Sequence, residues 1–435
     1  MSRAALALLM GVLFAAPLVA EDWPKWRGPR GDGTWNAPEL AEQWPATGLK
    51  TLWKQPIGGG YAGVTVADGR VYTLDLEAPT AKKVEAGKPD GTERVLCFDA
   101  ATGKPLWVHK YPVRYGNLGG YANGPRTSPT IHDGKVYTLG AVGHLFCFDA
   151  KTGDIVWQHD TVAKFGAQVP EWGFAGSLTI DGENVIAHIG AKDGGCVMAF
   201  DRASGKEVWR ALNDPAGYCT PTVIHPKSGK QVVIWTPKNV HGLDAATGKP
   251  LWKVPYEVTY GVSIAPPVFH DGIVFVTGYW EGAKAIQLGD KPTDAKVIWT
   301  DKKNLRGLMA QPLYRDKHIY TLDRGNGLTC VELATGKKRW DDENELTPAG
   351  RNPHASVVWL NDSDRVLALN AKGELILATL SPKGYDEQSR TKALAGRVWG
   401  HPAFAGRFVF AKTDGGEAWQ KAEPHELVCV ELAPK

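Results

Sequence analysis

The sequence predicts an all-β fold: an eight-bladed β-propeller with four-stranded blades, whose last blade is closed by strands from the amino and carboxyl termini. Three observations support this prediction. A turn motif that ends in Trp recurs along the chain, the segments between its copies have the composition of short strands, and the two ends carry complementary parts of one further repeat. Repeats of about 40–50 residues made of short strands are typical of propellers, in which each repeat forms one blade.

The repeat is clearest in the eleven residues Cys-Phe-Asp-Ala-Ala-Thr-Gly-Lys-Pro-Leu-Trp that end at Trp107. We expect its Asp to accept hydrogen bonds from the turn and its Thr-Gly to provide a hydroxyl and a residue that tolerates positive φ. The Trp is expected to pack between neighbouring sheets. The structural repeat tryptophans are Trp53, Trp107, Trp157, Trp209, Trp252, Trp299 and Trp340. Their spacings of 54, 50, 52, 43, 47 and 41 residues correspond to one blade each.

The segments between the motifs are predicted to be strands. Val71-Tyr72-Thr73-Leu74 and its counterparts are rich in branched and aromatic residues and are bounded by Gly or Asp turns, and no stretch after residue 20 has a helical period. Blade 7, which ends near Leu394, is the most degenerate, with a tight hairpin turn expected at residues 370–373.

The two ends of the chain are predicted to complete one blade together. Leu49 to Gln55 forms a strand with no blade of its own, whereas Arg407 to Ala411 and Glu426 to Leu432 are interpreted as inner strands that lack a following Trp strand. Pairing the two ends closes the ring and removes exposed sheet edges.

Residues 1–20 have the pattern of a secretory signal peptide. Arg3 precedes an apolar run, and the small residue Ala20 lies before Glu21 and Asp22, so we expect cleavage after Ala20 and export to the periplasm or the medium. A membrane anchor is the alternative for this segment; no later segment has the composition of a transmembrane span. Residues 21–48 are predicted to form an extended arm, and residues 49–435 a single propeller domain.

Composition and cysteine placement limit the classes of partner. The net charge is +3, from 50 basic and 47 acidic residues spread along the chain, so nucleic acid is not an expected partner; the propeller is expected to be monomeric. Four of the six cysteines share one position in the repeat and are interpreted as small buried side chains: Cys97, Cys147, Cys330 and Cys429. Pairing of Cys196 with Cys219 is left open.

The repeated Asp-x-x-Thr-Gly-Lys-x-x-Trp motif is similar to that of the bacterial pyrroloquinoline-quinone (PQQ) repeat propellers, over nearly the whole chain after residue 20. This resemblance implies one of two branches: quinoprotein dehydrogenases that oxidise alcohols or sugars, or non-enzymatic propellers similar to BamB, the scaffold of outer-membrane protein assembly. The amino-terminal Trp-Pro-Lys-Trp-Arg-Gly-Pro stretch, residues 23–29, also resembles the start of secreted PQQ-like propellers of Planctomycetes.

The dehydrogenase branch implies a defined site. Its quinone lies between a Trp and a ring of two adjacent disulfide-linked cysteines, its calcium is held by Glu and Asn, and an Asp acts as base. Here no two cysteines are adjacent, and candidate carboxylates such as Asp323 and Glu281 are explained equally well as turn or solvated residues. We therefore expect no catalytic residues, metal or cofactor, with PQQ and Ca²⁺ as the alternative.

A ring of candidate ligand-binding residues follows from aligning the blades on the Pro or turn Gly of each inner strand. The residues three positions before the aligned Pro position are Tyr61, Arg126, Phe174, Tyr218, Ile264, Met309, His354 and Trp399. We expect them to surround one mouth of the channel, with Arg126, Arg306 and Arg351 available to carboxylates. The ligand-binding candidates are Tyr61, Arg126, Phe174, Tyr218, His354 and Trp399. The alternative is that these side chains only fill the channel.

These observations favour an exported, non-catalytic scaffold similar to BamB, whose partners are envelope proteins or peptides. The alternative function is that of a PQQ-dependent dehydrogenase of small alcohols or sugars. Carbohydrate binding, suggested by aromatic residues in the loops, is a third possibility.

Overall fold

Eight sheets, each with four antiparallel blade strands, account for nearly all of the regular structure, which confirms the predicted eight-bladed propeller. The structure, a computed structural model, describes residues 21–77, 90–116, 118, 121, 124–415 and 425–435. The predicted signal peptide lies outside these residues. First strands contact one another between blades 1 and 2, 2 and 3, 3 and 4, 5 and 6, and 8 and 1, so the first strands surround the central channel.

The strands of blades 1 to 4 are, in order, Thr65–Ala67, Arg70–Glu77, Gly91–Asp99 and Pro105–Val113; Thr130–His132, Lys135–Leu139, His144–Asp149 and Ile155–Asp160; Thr179–Asp181, Asn184–Ala191, Gly195–Asp201 and Glu207–Ala211; Thr222–Ile224, Gln231–Trp235, Asn239–Asp244 and Pro250–Pro255. Those of blades 5 to 8 are Val268–His270, Ile273–Gly278, Gly282–Leu288 and Ala295–Asp301; Leu313–Arg315, His318–Asp323, Gly327–Glu332 and Lys338–Asp341; Ala355–Leu360, Arg365–Asn370, Glu374–Ser381 and Gly384–Lys392; Ala403–Ala405, Phe408–Lys412, Glu426–Glu431 and Lys50–Pro56. A short helix, Thr161–Phe165, and a 3-10 turn, Thr259–Gly261, complete the regular elements of the described ranges.

The repeat motif joins each blade to the next. In blade 1, Asp99 Oδ1 accepts hydrogen bonds from the backbone N and the Oγ1 of Thr102, at 2.9 and 2.7 Å, as predicted for the turn. The indole N–H of Trp107 donates to the carbonyl of Ala150, in the corresponding turn of blade 2, at 3.1 Å. The same bond links Trp53 to Ala100, Trp157 to Arg202, Trp299 to Leu333 and Trp340 to Ser381. The motif therefore connects neighbouring blades as well as shaping its own turn.

Two repeat tryptophans depart from this pattern. Trp252 donates to the side chain of Gln231 within its own blade, at 2.8 Å. The indole N–H of Trp209 has no partner among the described residues, although its ring packs against Gly248 of the next blade. Ring packing against the next turn is thus retained in blade 3 without the hydrogen bond.

Gly153, in the repeat turn of blade 2, is expected to tolerate no side chain. Its φ is +79°, and a Cβ would lie 2.7 Å from Cδ2 of Trp107. Gly153→Ala should destabilise the fold by about 2–4 kcal/mol, through left-handed backbone strain and displacement of the indole. Gly134→Ala is the matched control, because φ is +67° there but no atom lies within 4 Å of the added Cβ. Urea unfolding should show the smaller loss for Gly134→Ala; equal losses would contradict the packing role of the glycine.

The ring is closed by both ends of the chain, as predicted. Lys50–Pro56 pairs antiparallel with Glu426–Glu431, with Trp53 opposite Cys429. One assignment was wrong: the segments predicted as inner strands are the second and third strands, Phe408–Lys412 and Glu426–Glu431, and the innermost strand is Ala403–Ala405. An innermost strand of three residues is too short to display an alternating pattern.

The amino-terminal arm crosses the channel at the mouth where the first strands end, which we call the lower mouth. Trp23 exchanges backbone hydrogen bonds with Val66 of blade 1, at 3.0 and 2.9 Å. Thr34–Trp35 adds a short parallel strand to the first strand of blade 7, which the sequence did not predict. The buried rings of Trp23 and Trp35 both pack on Phe404, with ring centroids 4.9 Å apart in each pair. The arm therefore covers the lower mouth.

The four cysteines assigned to one repeat position do share it. Each lies directly opposite a repeat Trp in the sheet register and is buried: Cys97 opposite Trp107, Cys147 opposite Trp157, Cys330 opposite Trp340 and Cys429 opposite Trp53. Cys196 and Cys219 are buried thiols without a disulfide. Within the described part of the chain, no helix has the length and apolar character needed to span a membrane.

Candidate functional site

A cavity of about 370 Å³ opens at the upper mouth of the channel, where the first strands begin. Its walls come from the segments that lead into the first strands and from the hairpin of blade 5 that contains Tyr279 and Trp280. The repeat turns lie at the opposite end of the blades, because each strand reverses the direction of the one before it. The cavity is thus separate from the contacts that hold the blades together.

The upper tier of the wall consists of one residue from each blade. In seven of the blades this residue lies four positions before the first strand; in blade 7 it immediately precedes Ala355. The eight residues are Tyr61, Arg126, Ala175, Tyr218, Ile264, Met309, His354 and Trp399. Seven of them belong to the predicted ring, so the alignment of the blades located this wall.

The prediction for blade 3 was wrong by one residue. Phe174 is 1% exposed and packs in the hydrophobic core with residues of blades 2 and 3, whereas its neighbour Ala175 lines the cavity. In extended backbone, successive side chains point to opposite sides, so a shift of one residue moves a side chain from the channel to the core. Blade 3 has Leu178 at the position where five other blades have the Pro used for the alignment.

A second, lower tier lies two residues further along six of these segments, and the sequence prediction missed it. It presents hydroxyl groups in three successive blades, from Ser128, Ser177 and Thr220. Ser177 Oγ accepts from the backbone N of Ser128 and Thr220 Oγ1 from that of Ser177, each at 2.9 Å. Because these oxygens act as acceptors, their hydrogens can be donated to a ligand. The sequence pattern that could have indicated this tier is a Ser or Thr two positions after a residue of the upper tier.

Two histidines, His354 of the upper tier and His401, line the cavity together with Trp26 of the arm on the side of blades 7 and 8. Trp26 meets the ring of His401 edge to face, with centroids 5.2 Å apart, and His354 lies 5.8 Å from His401. Ser356 Oγ is 3.1 Å from Nδ1 of His401. His354 is 1% exposed, and neither ring nitrogen has a partner among the described residues. A buried imidazole that lines a cavity without partners is suited to bind a polar ligand group.

Burial keeps both imidazoles neutral. It lowers the pKa of His354 to about 4. The pKa of His401 is held well below its ordinary value by burial and, to a smaller extent, by His354 and Arg27. At neutral pH each ring therefore has one N–H donor and one acceptor nitrogen.

Arg126 provides the positive charge of the upper tier. Its guanidinium donates to the carbonyls of Gly124, at 2.9 Å, and Tyr121, and lies 5.3 Å from the ring centroid of Tyr61. Burial lowers the pKa of Arg126, but a guanidinium remains protonated in proteins. No carboxylate forms an ion pair with it in the described ranges. The carboxylate of Glu93 acts on this charge only from a distance and accepts instead from Tyr111 and Tyr115. A half-buried cation without an ion-pair partner favours the binding of an anion.

The other two predicted arginines have different surroundings. Arg351 lines the cavity at its exposed rim. Arg306 is outside the cavity wall and is neutralised by Asp323, with Nη2 2.8 Å from Oδ1. Asp323 is therefore a structural carboxylate rather than a free site residue, and Glu281 is likewise engaged, accepting from Thr259.

The calcium part of a quinoprotein site does not fit these residues. Across the described ranges, no three His, Cys, Asp or Glu side chains are grouped so as to hold a metal. Glu171 is the one carboxylate in the described wall, on the segment before blade 3, and Asn352 precedes blade 7, across the ring. The aromatic walls and Arg126 fit a flat anionic group better than they fit an accompanying cation.

Comparisons with known proteins agree with this fold. The family model described as outer membrane protein assembly factor BamB, a PQQ-repeat family, matches residues 43–211, 91–255 and 193–432. BamB from Moraxella catarrhalis superposes with a TM-score of 0.55 at 16% identity, covering 88% of this chain and 98% of that one. Quinohemoprotein alcohol dehydrogenase from Comamonas testosteroni gives 0.68 at 14%, covering 95% and 81%.

A europium-containing methanol dehydrogenase is similar as well, with a TM-score of 0.65 at 11% identity, covering 95% of this chain and 98% of that one. No curated protein sequence matches the chain. At these identities the structural similarities show the shared propeller fold, and the function has to be inferred from the cavity.

Proposed function

The chain belongs to the PQQ-repeat propeller family whose model is described as outer membrane protein assembly factor BamB, and from this membership and the upper cavity we propose that it is a non-catalytic binding protein of the cell envelope. Its ligand is a segment of a partner protein, which enters the upper cavity and places a carboxylate on Arg126. Export through the predicted signal peptide, residues 1–20, brings it to the periplasm or the medium.

One observation carries this proposal: Arg126 is a half-buried cation of the cavity wall, and it forms no ion pair with a carboxylate among the described residues. Partial burial of a charge that has no ion-pair partner is unfavourable, and a bound carboxylate reduces this cost. The hydroxyls of Ser128, Ser177 and Thr220 lie in the same blade or the two that follow, so they can donate to the same anion.

The size and composition of the cavity support a small end group as the part that is bound. A volume of about 370 Å³ is near the lower end of the range of roughly 300–1,000 Å³ for small-ligand sites. Aromatic rings such as Tyr61 and Trp399, whose centroids are 5.5 Å apart, offer apolar contact beside the charge. A carboxyl terminus or an acidic side chain of a peptide meets both requirements.

Arg126→Gln is expected to weaken this binding by roughly 10–100-fold, because a charge-assisted hydrogen bond contributes about 1.5–3 kcal/mol. The measurement is calorimetric titration with a panel of acetylated dipeptides that covers all side chains, each as the free acid and as the amide. Wild-type protein should bind acids from this panel in preference to the matching amides.

Arg407→Gln is the control, since Arg407 is exposed, pairs with Glu431 and lies outside the cavity. It should bind like wild type. The proposal fails if no acid in the panel binds, or if Arg126→Gln retains the preference for acid over amide.

A quinone-dependent dehydrogenase is the second candidate, favoured by the aromatic walls beside Arg126 and by the similarity to the two dehydrogenases. The quinone would supply two-electron oxidation chemistry, and Tyr61, Trp399 and Arg126 would contact it. We derive no reaction step, because the cation ligands do not fit. Reconstitution with PQQ and Ca²⁺ followed by a dye-linked assay distinguishes the candidates: saturable quinone uptake with dye reduction would favour this one.

A further inference from the structure

Tyr260 is an exposed aromatic residue on strained backbone at the rim of the cavity. Its side chain is 68% exposed, and its φ is +56°, in the left-handed region that bulky residues rarely adopt. A ring so exposed gains little from burial that could offset the strain. Strain of this kind, where folding does not require it, points to a role in function.

The loop that carries Tyr260 is held firmly in place. The backbone N and the Oγ1 of Thr259 both donate to Glu281 Oε1, at 2.9 and 2.6 Å. The backbone N of Val258 donates to the carbonyl of Pro237 at 2.9 Å. The strained conformation is therefore built into the contact between this loop and the hairpin of blade 5.

Tyr260 belongs to a set of three rings, Tyr260, Trp280 and Tyr279, which we call the aromatic clamp. Trp280 is 40% exposed and meets Tyr260 at a centroid distance of 5.4 Å and an angle of 65°, and Tyr279 at 4.6 Å and 70°. All three line the upper cavity. The clamp therefore extends the cavity continuously toward solvent, with ring faces that point in different directions.

Arginine side chains lie beside the aromatic clamp and in the same cavity. The Arg324 guanidinium lies 4.8 Å from the centroid of Tyr279, whose hydroxyl donates to the carbonyl of Arg351. The Arg351 side chain is exposed at the rim, and Arg126 lies in the upper tier of the same cavity. A ligand that runs from the clamp to Arg126 thus passes cationic groups, which favour an acidic chain.

We propose that the aromatic clamp is the outer half of a two-point site, and that its occupant is an extended acidic peptide segment of another protein. A residue with an apolar ring, proline or an aromatic, rests on the clamp while a carboxylate of the same segment reaches Arg126. This inference rests on the proposed function. A single rigid ring system cannot cover faces that are nearly perpendicular, whereas a chain with rotatable bonds can place different groups against each of them.

The test compares two sets of acetylated peptides of about three to six residues that end in Glu with a free carboxylate. One set carries Pro, Phe or Tyr at each internal position in turn, and the other carries Gly there. Wild-type protein should bind the best ring-bearing peptides at least ~10-fold more tightly than their Gly counterparts, as expected for an aromatic hot spot. Tyr260→Gly and Trp280→Ala should each lose most of this gain and bind the Gly set like wild type.

Two controls separate binding from folding. Tyr260→Gly should have a melting temperature no lower than wild type, because Gly adopts a φ of +56° without strain. Ile298→Ala, which removes an exposed apolar side chain on the outer strand of the same blade, should leave the gain intact.

The outcomes distinguish this inference from the proposed function. If ring-bearing peptides bind wild type no better than Gly peptides, or if both clamp variants keep the gain, the clamp has no role in binding. If Arg126→Gln nevertheless weakens both sets, the proposed function stands without the clamp. If Arg126→Gln leaves both sets unaffected, the proposed function itself is wrong.

Discussion

Deletion of Lys50–Pro56 is expected to abolish cooperative folding. This strand is the outer strand of blade 8 and pairs with Glu426–Glu431 along its whole length. It also carries Trp53, whose indole donates to Ala100 and packs against Gly103 of blade 1. Its loss removes the Trp53 contacts between blades 8 and 1 and exposes the buried third strand of blade 8. The closure of the ring is weakened and a hydrophobic sheet edge is left unpaired.

Circular dichroism and urea unfolding of the purified variant measure this effect. The control replaces Lys50 and Lys54 with Ala, which changes exposed side chains of the same strand and keeps its backbone pairing. This control should unfold cooperatively near the wild-type urea midpoint. A deletion variant that does the same would show that closure by the two termini is dispensable.

Acid should destabilise the protein through its buried histidines. Burial lowers the pKa of His354 to about 4, whereas a histidine in the unfolded chain titrates near 6.5. At a pH between these two pKa values, the imidazole is protonated in the unfolded chain and neutral in the folded protein. The free energy of unfolding therefore falls as the pH drops from about 6.5 to 4, and above pH 6.5 none of it is lost through this residue. The difference corresponds to on the order of 3 kcal/mol for this one residue.

His354→Leu tests this assignment. Urea unfolding at pH 7 and at pH 4 should show a loss of stability that is smaller in His354→Leu than in wild type by about 2–3 kcal/mol. His225→Leu, a substitution of an exposed histidine, should retain the wild-type loss. An unchanged loss in His354→Leu would mean that this imidazole is not kept neutral by burial.

The fold was largely predictable because its determinants are local and repeated. The Thr-Gly turn and the Trp that follows it lie within eleven residues, and the contact from Trp107 to Gly153 recurs with the same residue types from blade to blade. The strand of Thr34–Trp35 escaped prediction because its two residues pair with the distant Trp359 and Leu360, and no local pattern encodes such a contact. The innermost strand of blade 8 was missed because its three residues are too few to show an alternating pattern.

In the candidate site, only the residues that belong to the repeat could be predicted from the sequence. Alignment of the blades placed seven wall residues, five of them in blades that have the aligned Pro, and failed at Phe174 in blade 3, which has no such Pro. Trp26 reaches the cavity through the path of the arm, which has no repeat to align. Whether an arginine is neutralised depends on its neighbours in space: Arg306 faces Asp323, and Arg126 faces backbone carbonyls. The spacing of residues in the sequence does not contain that information.

The most direct test of the central claim is the structure of the protein with the tightest-binding acid of the dipeptide panel. We predict that its carboxylate lies within hydrogen-bonding distance of the Arg126 guanidinium, with the rest of the ligand against the aromatic wall of the upper cavity. A ligand bound elsewhere, or one in the cavity whose carboxylate does not contact Arg126, would contradict the account.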